Sequence, residues 1–361
     1  MVRVSEDVSF FRAAPRSDAS HVPPILLCLT TNCEHTLPLS PTRVRAYAKG
    51  LLVSETHFKG LFLRKASDDL DTFTSNEGKA RLLTNSMGVE VIEVTLKAGG
   101  RVFLVPPTSP GRSAETYYVI SGTLRGKLGE DVLELGPGDC ITLEGLQNRA
   151  LLTASEPAKL LCVTAQPVFD QADAFTSELM QLAVEVERKD GYTADHCRRL
   201  QKLSYATAEV LGLGSNQLYR LNYGAYLHDL GKVKIPLEIL QKPSKLTLEE
   251  WNIVKRHPID GRALLHGTQL EEAGIILEQH HERFDGSGYP YGLRGEQVLT
   301  ESYIVAVADT YDAMTTDRPY CKALSPEVAF AELKKYAGIH YPEEVVEAFL
   351  IAVSKQHLGQ L

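Results

Sequence analysis

The sequence has too few basic residues for a broad nucleic-acid binder: 46 Asp and Glu outnumber 38 Lys and Arg, a formal net charge of −8. Binding to DNA is therefore not expected. The sequence also lacks any apolar run near the roughly 20 residues that span a bilayer. Residues 1–16 carry charges of both signs and lack a secretory apolar stretch, and the six cysteines are too scattered for a disulfide framework. We therefore expect a reduced, cytoplasmic protein that binds neither DNA nor membrane.

The composition and the hydrophobic pattern change along the 361 residues. Residues 1–75 are broken by prolines, and their fold stays open. Residues 76–168 consist of short alternating or apolar runs separated by Gly and Pro, which is typical of a β-barrel or sandwich. Residues 169–188 repeat apolar positions at three and four and indicate a linking helix, and residues 189–361 are helical throughout. The predicted fold class is a multidomain protein, an N-terminal β-barrel followed by an all-α bundle.

The turns of the β region resemble those of a cupin, a small jelly-roll barrel. Residues 115–122 match the end of the first cupin motif, and residues 135–139 match the turn of the second. The metal centre of that family needs histidines, and residues 76–168 contain none. The resemblance therefore predicts a metal-free, cupin-like domain that senses a signal or dimerises the chain, and we expect a homodimer.

The residues capable of chemistry concentrate in the C-terminal half, where eight of the eleven histidines lie beyond residue 190. His228 and Asp229 end an apolar helical stretch, and a carboxylate with two oxygens could bridge two cations there. Lys232 follows three residues later, so its ammonium could reach an anion on the same face. Taken alone, such a His-Asp pair is more often a hydrogen-bonded pair at a helix end.

Further histidines and a second aspartate occur on separate helical segments. Asp309 stands in an apolar segment, where an isolated carboxylate is costly unless it is paired or bound to metal. Imidazoles and carboxylates from several helices build dinuclear sites in helical bundles, and this donor set suits iron, manganese or zinc. The candidate metal ligands are His196, His228, Asp229, His257, His280, His281 and Asp309.

Two loops offer groups for a phosphate-bearing ligand. Gly288, Tyr289 and Pro290 belong to a glycine-containing turn, which lets the backbone approach a ligand closely. Arg318 and Lys322 lie four residues apart beside an aromatic ring. A guanidinium and an ammonium hold phosphates, and a ring stacks on a base, so this loop favours a nucleotide-like ligand.

Three strings closely resemble the HD-GYP domain of bacterial cyclic-dinucleotide phosphodiesterases: HDLGKVKIP at 228–236, HHERFDGSGYP at 280–290 and ADTYDAMTTDRPY at 308–320. The resemblance implies a bundle that binds two divalent metals, iron or manganese, and hydrolyses cyclic di-GMP to linear pGpG, GMP or both with a metal-bridging hydroxide. It makes the seven candidates the ligands and Asp229 the bridge. Lys232 would contact the scissile phosphate, Arg318 and Lys322 would hold the substrate phosphates, and residues 288–290 would shape the adjoining loop. GGDEF-type or other signalling proteins are compatible partners.

The chain departs from the family's pattern at two positions. Some members hold a third metal with a glutamate where this chain has Tyr192, so two metals are expected. Cys321 stands where a basic residue is common. Two other functions stay open: a cyclic-dinucleotide receptor with little or no turnover, and a hydrolase of another cyclic dinucleotide such as cyclic GMP-AMP. We expect Glu282 and Asp285 to orient the ligands and the loop, and Arg199 to form a structural ion pair.

Overall fold

The computed structural model divides into two units, residues 1–65 and 66–361, which are described separately. In the first unit, β1 (Ser54–Glu55) and β2 (Phe62–Leu63) pair antiparallel. The remainder of the predicted region 1–75 lies largely outside the described residues, as do Tyr192, Arg318 and Cys321. The structure describes residues 54–55, 62–63, 70–74, 77–86, 88–106, 114–128, 131–165, 169–190, 195–317 and 322–358.

The first part of the second unit is built from two antiparallel sheets. The larger sheet has the strand order β10-β7-β12-β5-β4-β3, and the smaller has the order β6-β11-β8-β9. The strands are β3 (Thr72–Thr74), β4 (Gly78–Ser86), β5 (Val89–Leu96), β6 (Arg101–Leu104), β7 (Ala114–Ser121), β8 (Leu124–Leu128), β9 (Asp131–Leu135), β10 (Cys140–Glu144), β11 (Ala150–Ala154) and β12 (Ala158–Thr164).

The two sheets share one apolar core, because alternate residues of their strands point inward. Along β12 the burial alternates strictly, and Leu160 packs with Leu104 and Leu124 of the smaller sheet. Each fully buried leucine contributes about 1.5–3 kcal/mol. The predicted β domain and helical bundle are confirmed with one difference: among the described strands no ladder joins the two sheets. They form a sandwich held by side chains rather than a closed barrel.

The second part of this unit is helical. Its helices are α1 (Phe169–Lys189), α2 (His196–Leu211), α3 (Ser215–Leu227), α4 (Leu237–Leu240), α5 (Leu248–Val254), α6 (His257–Leu265), α7 (Gly274–Gln279), α8 (Thr300–Thr315), α9 (Pro326–Tyr336) and α10 (Glu343–Leu358). Short 3₁₀ helices span Leu230–Lys234, Glu271–Ala273 and Gly295–Gln297. Within the described ranges, the helices are all too short or too polar to cross a membrane.

Helix α8 lies at the centre of the bundle. Its residues 301–308 are buried, and Ile304 and Val305 pack in one cluster with Leu200 of α2 and Phe349 of α10. A helix that is apolar on all sides belongs in a core. Asp309 directly follows this buried run, and the position of α8 places it against His196 at the start of α2.

Helix α1 connects the sandwich to the bundle. At its start, Phe169 packs against Leu82 and Ile92, and its backbone N–H donates to Oε2 of Glu90 at 3.0 Å. Arg149, the residue before β11, makes a further contact with the bundle. It donates two hydrogen bonds to Glu272, at 2.8 and 3.0 Å. The helix thus begins on the larger sheet and ends inside the bundle, where the candidate ligands lie.

Candidate metal centre

The seven predicted ligands, distant in sequence, lie together around Asp229. One of its oxygens, Oδ1, is 3.1 Å from Nε2 of His257 and 3.8 Å from Nε2 of His280. The other, Oδ2, is 3.1 Å from Nε2 of His228. Asp229 therefore faces imidazoles on both sides, which is the geometry that a bridging carboxylate requires.

The ligand atoms divide into two groups that share the Asp229 region. Atoms of Asp229, His257, His280 and His281 lie within 4.8 Å of one another. On the other side, atoms of Glu187, His196 and His228 lie within 4.8 Å of one another. Asp309 joins the second group, because its Oδ1 is 3.6 Å from Nε2 of His196.

The ends of helices position these side chains. His228 follows α3, His257 opens α6, and His280 follows α7. The short turn after Asp229 requires a glycine at 231: a Cβ there would stand 2.0 Å from the carbonyl oxygen of His257. That close approach brings the His-Asp pair and α6 together at one point.

Backbone carbonyls select the tautomer of three histidines. The Nδ1 atoms of His228, His257 and His280 lie 3.2, 2.8 and 2.7 Å from carbonyl oxygens three residues earlier. A carbonyl can only accept, so Nδ1 carries a proton in all three, and Nε2 is the nitrogen that faces the centre. Such contacts orient imidazoles for metal binding.

Asp312, which the sequence reasoning missed, orients a fourth histidine. Its Oδ2 accepts from Nδ1 of His196 at 2.7 Å, and both of its oxygens accept from Arg199, at 2.5 and 2.8 Å. Burial opposes the charged form, but the hydrogen bonds from Arg199 and His196 lower the pKa of Asp312 to about 2. Arg199 thus forms an ion pair, and Asp312 leaves Nε2 of His196 facing the centre.

Lys232 is held between two carboxylates. Its Nζ lies 2.6 Å from Oδ2 of Asp190 and 2.7 Å from Oδ2 of Asp229. Asp190, at the end of α1, was also missed by the sequence reasoning. Lys232 lies beside Asp229, the predicted bridging ligand. Its contact with the scissile phosphate stays a prediction, and this position is compatible with it.

The loop after His281 is fixed by Glu282. This carboxylate accepts the backbone N–H groups of Tyr291 at 2.7 Å and Leu293 at 3.0 Å. At position 288 a Cβ would stand 2.5 Å from the carbonyl oxygen of His281, so only glycine fits. Tyr289 stacks on His281, with ring centroids 4.6 Å apart. The loop therefore forms one wall of the centre.

The loop that carries the two predicted phosphate-binding residues, Arg318 and Lys322, is only partly described. Arg318 lies outside the described residues, and Lys322, just beyond the gap, is exposed. Asp285 accepts the backbone N–H of Ser287 at 2.9 Å and so stabilises the turn that the sequence assigns to it.

Burial and close charges shift the titration of the centre. Burial opposes protonation of His228, but Asp229 outweighs it and raises the pKa of His228 to about 9. Burial with neighbouring imidazoles holds the pKa values of His280 and His281 well below the ordinary value. Burial also favours the neutral acid of Asp229, yet Lys232 and His228 hold its pKa well below the usual range. A cation entering this site would displace bound protons.

Two buried oxygen atoms of the centre fit a divalent cation. Oε2 of Glu187 and Oδ1 of Asp309 are buried and have no hydrogen-bond partner among the described residues. Buried polar atoms are normally satisfied, and unsatisfied ones that converge call for an ion or water. Imidazole nitrogens with carboxylate oxygens are suitable donors for a divalent transition metal.

The sequence is similar to several known proteins. A family model described as an HD domain matches residues 180–345. The cyclic di-GMP phosphodiesterase of Thermotoga maritima is 38% identical over 299 residues, 76% of this chain and 81% of that protein. The cyclic di-GMP phosphodiesterase response regulator RpfG of Xanthomonas campestris is 42% identical over 175 residues, 48% of this chain and 46% of that protein.

Two other similar proteins match a smaller share of this chain. The 3′3′-cGAMP-specific phosphodiesterase 2 of Vibrio cholerae is 34% identical over 172 residues, 47% of this chain and 33% of that protein. The chain thus spans about half or less of the Xanthomonas and Vibrio relatives. A solved cupin-2 domain of a regulator from Enterobacter cloacae is 18% identical with a TM-score of 0.21, covering 24% of this chain and 95% of that one. The Thermotoga match covers most of both proteins, and the chain belongs to the HD-domain family, in the HD-GYP branch that its three motifs predict.

Proposed function

We propose that this protein is a metal-dependent phosphodiesterase that hydrolyses cyclic di-GMP to linear pGpG, GMP or both. The observation that carries the proposal is that the six other predicted ligands lie around Asp229, with histidines on both of its oxygens. Relatives named for this activity support the substrate. The proposed metals are two ions, iron or manganese.

The residues divide the work of the reaction. When bound, a pair of divalent ions supplies an activated water and a positive field for the phosphodiester. Asp229 would hold both ions, and the histidines would bind them through Nε2, with three of the rings held in place from Nδ1 by backbone carbonyls. Lys232, already beside Asp229, offsets the negative charge that develops on the phosphate oxygens. Arg318 and Lys322 hold the other phosphate, and residues 288–290 shape the wall on which the dinucleotide rests.

A turnover assay with anaerobically purified protein, iron or manganese and a reductant tests the proposal. We expect cyclic di-GMP to be consumed and Asp229→Ala to lose metal and turnover together. Asp260→Ala, a matched control on α6 whose side chain pairs with surface Lys234 at 3.5 Å, should keep both. Metal loading without turnover of any cyclic dinucleotide would refute the enzyme and favour the receptor.

Cyclic GMP-AMP is the second candidate substrate. The Vibrio relative named for 3′3′-cGAMP supports it. Measuring kcat/KM for cyclic di-GMP, 3′3′-cGAMP and linear pGpG with one preparation ranks the three. A higher value for 3′3′-cGAMP would replace the proposed substrate and leave the reaction class intact.

We propose further that the sandwich regulates the bundle. A cavity of about 1220 Å³ lies between them, and Arg101, Tyr117 and Tyr219 are among the described residues that line it. Its aromatic and charged walls are suited to a small signal molecule. A homodimer, signalling-protein partners and a cytoplasmic location stay predictions of the sequence.

A further inference from the structure

Glu187 is a buried carboxylate that matches no sequence motif of the centre. It lies in the last turn of α1 and is 1% exposed. Its Oε2 is 3.8 Å from Nε2 of His196. One atom each from Glu187, His196 and His228 lie within 4.8 Å of one another, which is close enough for all three to reach one ion.

The environment of Glu187 differs from that of other buried glutamates in the helical part. Glu301 of α8, 1% exposed, pairs with Arg220 at 2.6 Å. Glu282, also 1% exposed, accepts two backbone N–H groups. By contrast, Oε2 of Glu187 has no hydrogen-bond partner among the described residues. A buried carboxylate is costly without a compensating partner, and a cation would supply one.

A second carboxylate, Asp309, also lies beside His196. Oδ1 of Asp309 is 3.6 Å from Nε2 of His196 and also lacks a hydrogen-bond partner among the described residues. Two carboxylate oxygens thus approach one imidazole nitrogen whose Nδ1 is fixed by Asp312. Oxygen and nitrogen donors aimed at a common point are the donor set of a divalent transition metal.

We propose that Glu187 is a metal ligand of the half-site formed by His196 and His228. The last turn of α1 then contributes directly to the centre. The inference rests on the metal centre of the proposed function and is independent of the substrate.

Metal content measured by mass spectrometry tests this assignment in the full-length chain. Wild type, Glu187→Gln and Glu185→Gln are each loaded anaerobically with Mn²⁺ and freed of weakly bound ions. Glu185 is a matched control, because it is an exposed glutamate two residues earlier on the same helix. We expect two ions per chain in wild type and Glu185→Gln and one in Glu187→Gln. Titration should show a loss of affinity at one site on the order of 100-fold.

Thermal melting in excess chelator separates ligation from a structural role. A buried carboxylate costs free energy when no cation compensates it, so Glu187→Gln should melt at or above the wild-type temperature when no metal is present. Added Mn²⁺ should then raise its melting temperature less than that of wild type. Glu187→Asp, which keeps the charge one methylene shorter, should recover part of the affinity and serves if the Gln variant is insoluble.

The outcomes are distinct. Two tightly bound ions in Glu187→Gln, with affinities within about threefold of wild type, would overturn the inference and leave the metal centre standing. A metal-free melting temperature well below that of wild type, with metal content unchanged, would make Glu187 structural. A wild-type chain that binds no metal would overturn the centre itself and the inference with it.

Discussion

Asp312 offers a sharp test of how the centre is organised, because it orients a proposed ligand without facing the ions. In Asp312→Asn the shape is retained, but the carboxylate that accepts from His196 and Arg199 is lost. A carboxylate behind a metal-binding imidazole typically changes affinity 10–100-fold. We expect Mn²⁺ affinity to fall by about that factor at the half-site of His196.

The same substitution has a calculable effect on stability. The pKa of Asp312 is lowered from 3.8 to about 2 in the folded protein. At about 1.4 kcal/mol per pKa unit, the ionised carboxylate contributes about 2 kcal/mol at neutral pH. Because the folded pKa is depressed, this contribution is complete above about pH 4 and is lost as the pH falls towards 2. Asp312→Asn should therefore be less stable than wild type at pH 7 and equal to it near pH 2.

The assay combines chelator-competition titration of Mn²⁺ with denaturant unfolding of the metal-free protein between pH 2 and 7. Glu301→Gln is the control, since it removes a buried carboxylate from the same helix, in this case the partner of Arg220. That variant should lose stability and keep the affinity for metal. An unchanged Mn²⁺ affinity in Asp312→Asn would refute the positioning role. A stability difference that does not vary with pH would refute the electrostatic account.

Four further results are expected. Gly231→Ala should lose metal as well as stability, because its Cβ would stand 2.0 Å from the carbonyl oxygen of His257; full metal content by mass spectrometry would contradict this. Lys232→Met should keep both ions and lower kcat by roughly 100-fold, since a transition-state charge partner is removed; metal loss with unchanged kcat would oppose that role. Metal affinity should rise by up to about tenfold per pH unit below about pH 9, because the pKa of His228 is raised to about 9 and its proton must leave when metal binds. Calorimetry in buffers of different ionisation enthalpy measures the released proton. Metal binding without proton release would contradict this account. Arg318→Ala should raise KM more than it lowers metal content, and metal loss would refute its assignment to the substrate.

The architecture was predictable where the sequence pattern is local. Strand alternation and turn glycines predict the β region, and the three- and four-residue spacing predicts α1. The pairing of strands into two sheets was not predictable, because it depends on contacts between distant residues. The difference between a barrel and a sandwich is decided by which edges pair, and no local pattern encodes this.

The candidate ligands could be proposed because histidine is rare and the motifs are specific. Asp190 could not, since a single aspartate at a helix end resembles any exposed one until its partners are known. Asp312 stands within the string at 308–320, but the string does not show that its carboxylate accepts from His196 and Arg199. Glu187 left a signal that the reasoning overlooked. It lies four residues after Ala183 and eight after Leu179, both buried, so a carboxylate occupies the apolar face of α1. A charge in that position needs a partner in the core.

The course of α1 explains how events in the sandwich can reach the metal centre. The helix has 21 residues and is therefore about 30 Å long. Its first residue is hydrogen-bonded to Glu90 of the larger sheet, and its last turn brings Glu187 to His196. Asp190, the next residue after the helix, holds Lys232. A continuous helix does not shorten or stretch easily, so a movement of the sheet that carries Phe169 with it is expected to displace these carboxylates or bend the helix. The element that joins the two parts is thus the same element that supplies the charged groups at the centre's edge.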